Sequence, residues 1–406
     1  MTASLPPLAR SRAALGLIAG AAVGRLELQV CRQCGAVQYP PREACCRCLS
    51  SALHWKVQDG RGVLLAETIL RHSQHDYFRQ HLPIRLGLVR LDCGPSAVVY
   101  LHDNVLPSAS RVQVTAHLDR AGLAALVAFA AEGVMRIGHA GMTRSSLLNE
   151  MVCDPKGRKV LVTSADAGVG VALVRSLLDA GAETVWVGHA GPPVAVPDGV
   201  QLVALDITDD QSVHHAAAAI GNEVDILINT AAAHSAPHDP ADLSSARLEM
   251  DVSYFGLLRL AQAFGPMMRA RGAGSAAKPG RGACAWVNLL SLFALSSAPG
   301  KRTFSASQAA ACSLSRSLRA DMQPAGVRVI NVFPGVVDDV DAEASLPATL
   351  TATSLARSIV RALQDGIEDV YPGEAAQDWY QRWRDDPKAL ERELAVVRPP
   401  TKRSAV

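Results

Sequence analysis

From Arg158 onward, short apolar runs alternate with helix-like runs: KVLVTSA, GVALVRSLLDAG, TVWVGHA, VQLVALD, SVHHAAAAI and VDILINTAA. No other feature of the sequence restricts the fold so strongly. A strand that leads each time into a helix cannot fold back on its neighbour as a hairpin. The crossover returns the next strand parallel to the first, and the helices cover both faces. The expected fold class is α/β, with a doubly wound parallel sheet over residues 158–372. Composition suits such a core, since 49% of the residues are apolar but only 4% are aromatic.

The 406 residues leave room for two or three domains. Residues 59–130 hold a different pattern. The runs GVLLAETIL, IRLGLVRLD, SAVVYLH and RVQVTAHL are separated by Gly, Pro and Asp, which predicts a small β-barrel. Residues 131–157 read as a linker. Residues 373–406 read as an amphipathic helical tail with a basic end. Near the start, Arg10 and Arg12 precede about a dozen apolar or small residues, which imitates a secretory leader. The run is too short to span a bilayer, so an N-terminal helix in a cytoplasmic protein is expected.

Nine cysteines are present, five of them between 31 and 48. That clustering points to a metal site in a reducing compartment, not to a disulfide framework. In CRQCGAVQYPPREACCRC, Cys31-x2-Cys34 and Cys45-x2-Cys48 are two knuckles ten residues apart. Two such knuckles can present four thiolates at the corners of a tetrahedron, which suits a closed, structural zinc ion. Residues 1–58 are thus read as an N-terminal helix and a zinc ribbon. Cys46 is the spare thiol, with an exchange with Cys45 left open. His72, His75 and His81 are read as a solvated loop instead of a second metal site, because no carboxylate pattern accompanies them.

The ribbon and barrel resemble a rubredoxin-like zinc ribbon joined to an OB-fold, as found in acyl-CoA-associated proteins that partner thiolase-like enzymes. The resemblance rests on GRLELQVCRQCG, PPREACCRC and LPIRLGLVRLD. It implies a barrel that docks on a thiolase-fold partner and helps hold coenzyme A. An OB-fold also suits nucleic acid, which needs aromatic platforms and a basic groove. Only Tyr77, Phe78 and Tyr100 are available between 60 and 118, and the net charge is +2. Nucleic acid is disfavoured on both counts.

In VLVTSADAGVGVALVRSLLDAG, Gly168 and Gly170 sit at a strand-to-helix turn, where backbone amides can approach a pyrophosphate. Taken together with the segments LDITD, NTAA and PG downstream, residues 158–372 resemble the Rossmann-fold short-chain dehydrogenase/reductase family. The resemblance aligns Thr163–Gly170 with the family's glycine-rich turn, Ser164 replacing its first glycine. It also aligns Asp206 with the adenine contact, Asn229 with the start of the NNAG segment (Ala232 standing for its glycine), and Pro334–Gly335 with the nicotinamide loop. It thereby implies NAD or NADP. After the second strand, an acidic residue or an arginine would specify which, but the chain has Gly188 and His189.

Family chemistry, by this resemblance, uses a Tyr as general acid/base, a Lys four residues later, a Ser and an Asn. Ser291 is retained, thirteen residues before Phe304. Phe304 stands for the Tyr, Gln308 for the Lys and Ser253 for the Asn. The expectation is a degenerate site with weak or vestigial cofactor binding. It leads to a non-catalytic accessory subunit of a thiolase-like complex, forming homo- or hetero-oligomers through helices near 244–272 and 304–323. The alternative is an active NAD(P)-dependent oxidoreductase on an acyl-CoA-linked ketone or alcohol, its acid displaced, with Lys301, Arg302, Cys284 and Cys312 nearby in sequence.

Overall fold

The computed structural model describes the chain except residues 1–4, 8–10, 107–109, 133–136, 138–144, 166–167, 192–197, 231–242, 276–282, 298–300, 339–349 and 397–406. Helix α1 (Leu15–Ala22) leads into a small antiparallel sheet, β2-β1-β3, of β1 (Glu27–Cys31), β2 (Val37–Gln38) and β3 (Leu53–Val57). So small a sheet cannot bury a core alone. Two buried glutamines tie its loops instead. Gln38 Nε2 donates to Gln29 Oε1 at 2.9 Å, which also accepts from the Arg42 amide at 2.8 Å. Gln38 Oε1 accepts from the Cys46 amide at 2.9 Å.

The next strands are β4 (Arg61–Leu70), β5 (Ile84–Leu91), β6 (Ser96–Leu101), β7 (Arg111–Leu118) and β8 (Ala124–Ala130). They close into a barrel in the order β4-β5-β6-β8-β7, with the β6–β8 pair parallel. Leu17, Ala21 and Leu28 share one core with Val89, Val99, Val112 and Leu126 of the barrel. Ribbon and barrel therefore fold against each other.

Between β4 and β5 lies α2 (Asp76–Gln80), and α3 (Ser146–Asn149) follows the barrel. The stretch expected as a linker is packed in its described part. Leu147, Leu148, Met151 and Val152 join Tyr77, Ile84, Val127 and Phe129 in a second core. Glu150 is the polar hub there. Its carboxylate accepts from Tyr77 Oη at 3.1 Å and lies 3.2 Å from His81 Nε2 and 3.3 Å from Arg120 Nη1. His81 is thus a correction: it is buried beside a carboxylate, whereas His72 and His75 are exposed. Its carboxylate comes from far along the chain, where no local pattern shows it. Tyr77, Phe78 and Tyr100 likewise belong to this core.

The dehydrogenase-like region runs β9 (Lys159–Val162), α4 (Gly168–Asp179), β10 (Thr184–His189), β11 (Val200–Ala204), α5 (Asp210–Ile220), β12 (Ile226–Asn229), α6 (Leu243–Met250), α7 (Gly256–Ser275), β13 (Cys284–Leu289), α8 (Arg302–Met322) and β14 (Val327–Val332). A short parallel pair, β15 (Val337–Asp338) and β16 (Leu350–Thr351), precedes α9 (Ala352–Asp365) and β17 (Asp369–Val370). The parallel seven-stranded sheet has the order β11-β10-β9-β12-β13-β14-β17. Every residue of β12, β13 and β14 is buried, as expected for central strands covered on both faces. Two separate cores lie on the two faces. Helices α10 (Glu374–Asp385) and α11 (Pro387–Val396) complete the described chain. Among the described residues, no helix is long and apolar enough to cross a membrane.

The front half is bonded to this domain. Arg120 donates to the carbonyls of Ala325 at 3.2 Å and Gly272 at 3.4 Å, and Arg328 donates to Leu118 O at 3.0 Å. At the sheet edge, the Glu368 amide donates to Ala22 O at 2.9 Å. The tail helix closes the circle: Arg384 grips the Glu27 carboxylate in a two-point pair at 2.6 and 2.7 Å, and Glu27 is 1% exposed. Arg384→Ala is expected to leave that carboxylate unpaired, at a cost of about 1–3 kcal/mol. Thermal unfolding and faster proteolysis of the ribbon read this out. A Glu27→Gln, Arg384→Met double change should recover part of the loss, because it removes the stranded charge.

Candidate functional site

The ribbon brings four thiols together. Cys31 ends β1, Cys34 follows in the turn, and Cys45 and Cys48 lie in the loop before β3. Their sulfurs all lie within 4.8 Å of one another, with Cys31–Cys48 and Cys34–Cys45 each at 3.6 Å. A tetrahedral ion with metal–sulfur bonds of about 2.3 Å sets its sulfurs roughly 3.8 Å apart, so the residues fit such an ion. The backbone amides of Cys48 and Arg47 lower the Cys45 thiol to about 6. Cys46 is exposed and outside the four, which resolves the choice between it and Cys45.

The glycine-rich turn lies at the ends of β9 and β12. The Thr230 amide donates to Thr163 Oγ1 at 3.0 Å, and Thr163 Oγ1 donates to Asn229 Oδ1 at 3.3 Å. Thr230 Oγ1 in turn accepts from the Ser164 amide at 3.1 Å and donates to Ser164 O at 2.7 Å. Sequence reasoning misses Thr230; its signal is the Thr of NTAA itself. Gly168 has φ +44°, and a Cβ on Gly170 would meet Ala165 Cα at 2.5 Å, so the turn tolerates little else there. Asp206 spends one carboxylate oxygen on Thr208, accepting from its amide at 2.9 Å and its hydroxyl at 2.7 Å. Gly188 has a steric cause: a Cβ there would meet Thr163 O at 2.2 Å. No acidic side chain fits where β10 passes this close to the turn. Ala232 lies outside the described residues.

The residues aligned with the family's catalytic positions are spread over three segments. Ser253 lies in a π-helical turn, Asp251–Phe255, between α6 and α7. Such turns break the regular ladder and re-aim a side chain. Gln308, on α8, is 2% exposed, and its Nε2 donates to Ser253 Oγ at 3.1 Å. The residues at these two positions are therefore bonded to one another through one donor and one acceptor. Ser291 Oγ accepts from the Phe293 amide at 3.3 Å, which caps a short turn. Phe304 packs edge-on against Phe293, with ring centroids 6.2 Å apart, and Phe293 meets Trp379 of α10 at 5.9 Å. The ring at 304 serves an aromatic cluster. Burial pushes the Cys284 thiol up to about 12 and raises that of Cys312, so neither is a ready proton carrier. Lys301 stands at the N-terminus of α8.

A buried polar network links β13, α8 and β14. Trp286 Nε1 donates to Asn288 Oδ1 at 3.0 Å, Asn288 Nδ2 to Ser315 Oγ at 2.8 Å, and Ser315 Oγ to Asn331 Oδ1 at 2.5 Å. The asparagines inside the apolar runs WVNLL and VINV are its sequence signal.

Residues 158–350 match the model of the short chain dehydrogenase family. A 1-deoxy-11-beta-hydroxypentalenate dehydrogenase of Streptomyces avermitilis is 30% identical over 192 residues, which cover 68% of that protein and 44% of this chain. The chain belongs to the short-chain dehydrogenase family. A probable NADP-dependent dehydrogenase of Haemophilus influenzae is 28% identical over 191 residues, 72% of its length and 45% of this chain. Among solved structures, a short chain dehydrogenase from Burkholderia cenocepacia J2315 in complex with NADP superimposes with a TM-score of 0.54 and 32% identity. It is covered over 98% of its length, against 59% of this chain. Residues 19–54 match the rubredoxin-like zinc ribbon domain of ChsH2. This short-chain dehydrogenase thus carries a ribbon fused ahead of its Rossmann domain. At the turn, the small residues Ser164, Gly168 and Gly170 set no bulky side chain against a dinucleotide, while the Ser164 amide is already bonded to Thr230 Oγ1. The fit fails at 304 and 308, where a phenol and a cation are replaced by an aromatic ring and an amide.

Proposed function

We propose that the chain is a non-catalytic accessory subunit of an acyl-CoA-processing, thiolase-like complex, its dehydrogenase domain retained for assembly. The observation that carries this reading is the Gln308–Ser253 hydrogen bond at 3.1 Å. It puts a neutral hydrogen-bonded pair in the place where hydride chemistry needs a charge and a proton path. When bound, a nicotinamide dinucleotide supplies hydride transfer. Here Thr163, Ser164, Gly168, Gly170 and Asn229 would hold its pyrophosphate end, and Phe304 offers no proton to a reacting oxygen.

The four thiolates hold zinc as a structural ion, and the five-stranded barrel is an OB-fold, a reading its strand order supports. Ribbon and barrel dock on a thiolase-fold partner and help hold coenzyme A at that interface. Leu243 and Leu248 on α6 and Phe255 beside α7 are exposed, which suits assembly through this helical face. Nine free thiols suit a reducing, cytoplasmic setting.

The second reading is an active oxidoreductase with a displaced acid. It is favoured by the well-formed glycine turn and by relatives named as dehydrogenases. Affinity capture of the full chain from its native host separates the two. A thiolase-fold protein should be recovered, and deletion of residues 1–130 should abolish its recovery. Capture of no such protein, together with turnover of a nicotinamide cofactor, would favour the second reading.

A further inference from the structure

Beside the degenerate catalytic positions, several buried oxygens stand without partners. Glu249 is the only buried residue of α6, at 3% exposure, and no donor among the described residues meets its Oε2. Ser305 Oγ and Gln308 Oε1, on the first two turns of α8, are also buried and unpaired; these residues are 1% and 2% exposed. The elements are neighbours, since α6 and the π-helical turn both pack on α8. Glu249 lies one turn before Ser253, and Ser253 Oγ takes the Gln308 Nε2 hydrogen bond and sits 3.5 Å from Ser307 Oγ. That bond fixes the amide, so Gln308 Oε1 is held at the same junction.

A buried carboxylate is costly without a compensating charge or donor. Yet no salt bridge reaches Glu249 among the described residues, although many other acids are paired in the fold. The other unpaired buried oxygens on the helix packed against α6 are neutral: the Ser305 hydroxyl and the Gln308 amide oxygen. Oxygen donors of this kind replace the water shell of a hard cation. One carboxylate balances one positive charge; a divalent ion would leave a buried excess.

We propose that the α6–α8 junction is a binding site for a monovalent alkali cation, held by Glu249, Ser305 and Gln308 with Ser253 beside it. The site is independent of whether the domain turns over a dinucleotide. It lends the junction the charge that its own side chains lack, and it ties α6 to α8.

The test uses the purified full-length chain. Its unfolding midpoint is measured in sodium, potassium and rubidium chloride and in choline chloride at equal ionic strength. A saturable rise on the order of 2–4 °C in at least one alkali salt is expected. The rise should vanish in Glu249→Gln and shrink in Ser305→Ala. Equal midpoints in all four salts, or a rise that Glu249→Gln retains, would overturn the proposal. If Glu249→Gln does not fold, crystals of the wild type in rubidium chloride decide: an anomalous peak between α6 and α8 supports the site, and none refutes it.

Discussion

Cys45→Ser is expected to strip the ribbon of its metal and unfold it, while the Rossmann domain stays folded. A serine hydroxyl stays protonated at neutral pH and is a poor ligand for a thiolate-preferring ion. The binding energy at stake is large, on the order of 10–16 kcal/mol for structural zinc in small domains. Much of it should be lost, because three thiolates cannot close a tetrahedron. Metal content should fall from about one ion per chain to near zero. Amide exchange should speed up across β1, β2 and β3, while β12, β13 and β14 keep their protection. The barrel should respond in part, since Leu28 of β1 belongs to its core. Cys46→Ser is the control. Cys46 is exposed and outside the four sulfurs, so its substitution should leave the metal in place. Loss of metal in Cys46→Ser but not in Cys45→Ser would refute the ligand assignment.

The unmodified protein is expected to show no hydride transfer with acyl-CoA ketones or alcohols, read at the absorbance of the reduced nicotinamide. A missing positioned acid/base alone costs about 10²–10⁴-fold. Phe304→Tyr by itself should restore little, because an unassisted phenol keeps its ordinary value of about 10. It would also disturb the packing of ring 304 on Phe293. The double change Phe304→Tyr, Gln308→Lys is the fairer trial, since the cation would lower the phenol. The lysine must then displace the amide from Ser253 in a buried place, so partial recovery is expected. Robust turnover by the unmodified chain, abolished by Ser291→Ala, would overturn the accessory-subunit reading.

Both of these expectations begin in short, contiguous patterns. The two CxxC knuckles specify a metal site because ligand spacing within a loop is a local property. The strand–helix alternation specifies a parallel sheet because period and crossover length are also local. The departures from the family pattern at Phe304 and Gln308 are visible for the same reason: the helix that carries them is one continuous segment. Residue identity alone then excludes a phenolic proton and an ammonium charge.

What these two residues contact was decided only by the tertiary structure. Gln308 meets Ser253 across 55 residues of sequence, and Phe304 joins a cluster completed by Trp379 of the tail. Gly188 looks like a missing acid in the sequence, yet it is the residue that the carbonyl of Thr163 leaves room for. His81 looks solvated there, but Glu150 reaches it from beyond the barrel. Glu27 and Arg384 are separated by 357 residues and still form a two-point pair. No periodicity encodes such contacts. Hydrophobic pattern and ligand spacing determined which elements form, whereas burial of polar side chains depends on which elements pack together. That pairing arises only when the sheet, the barrel and the tail close on one another.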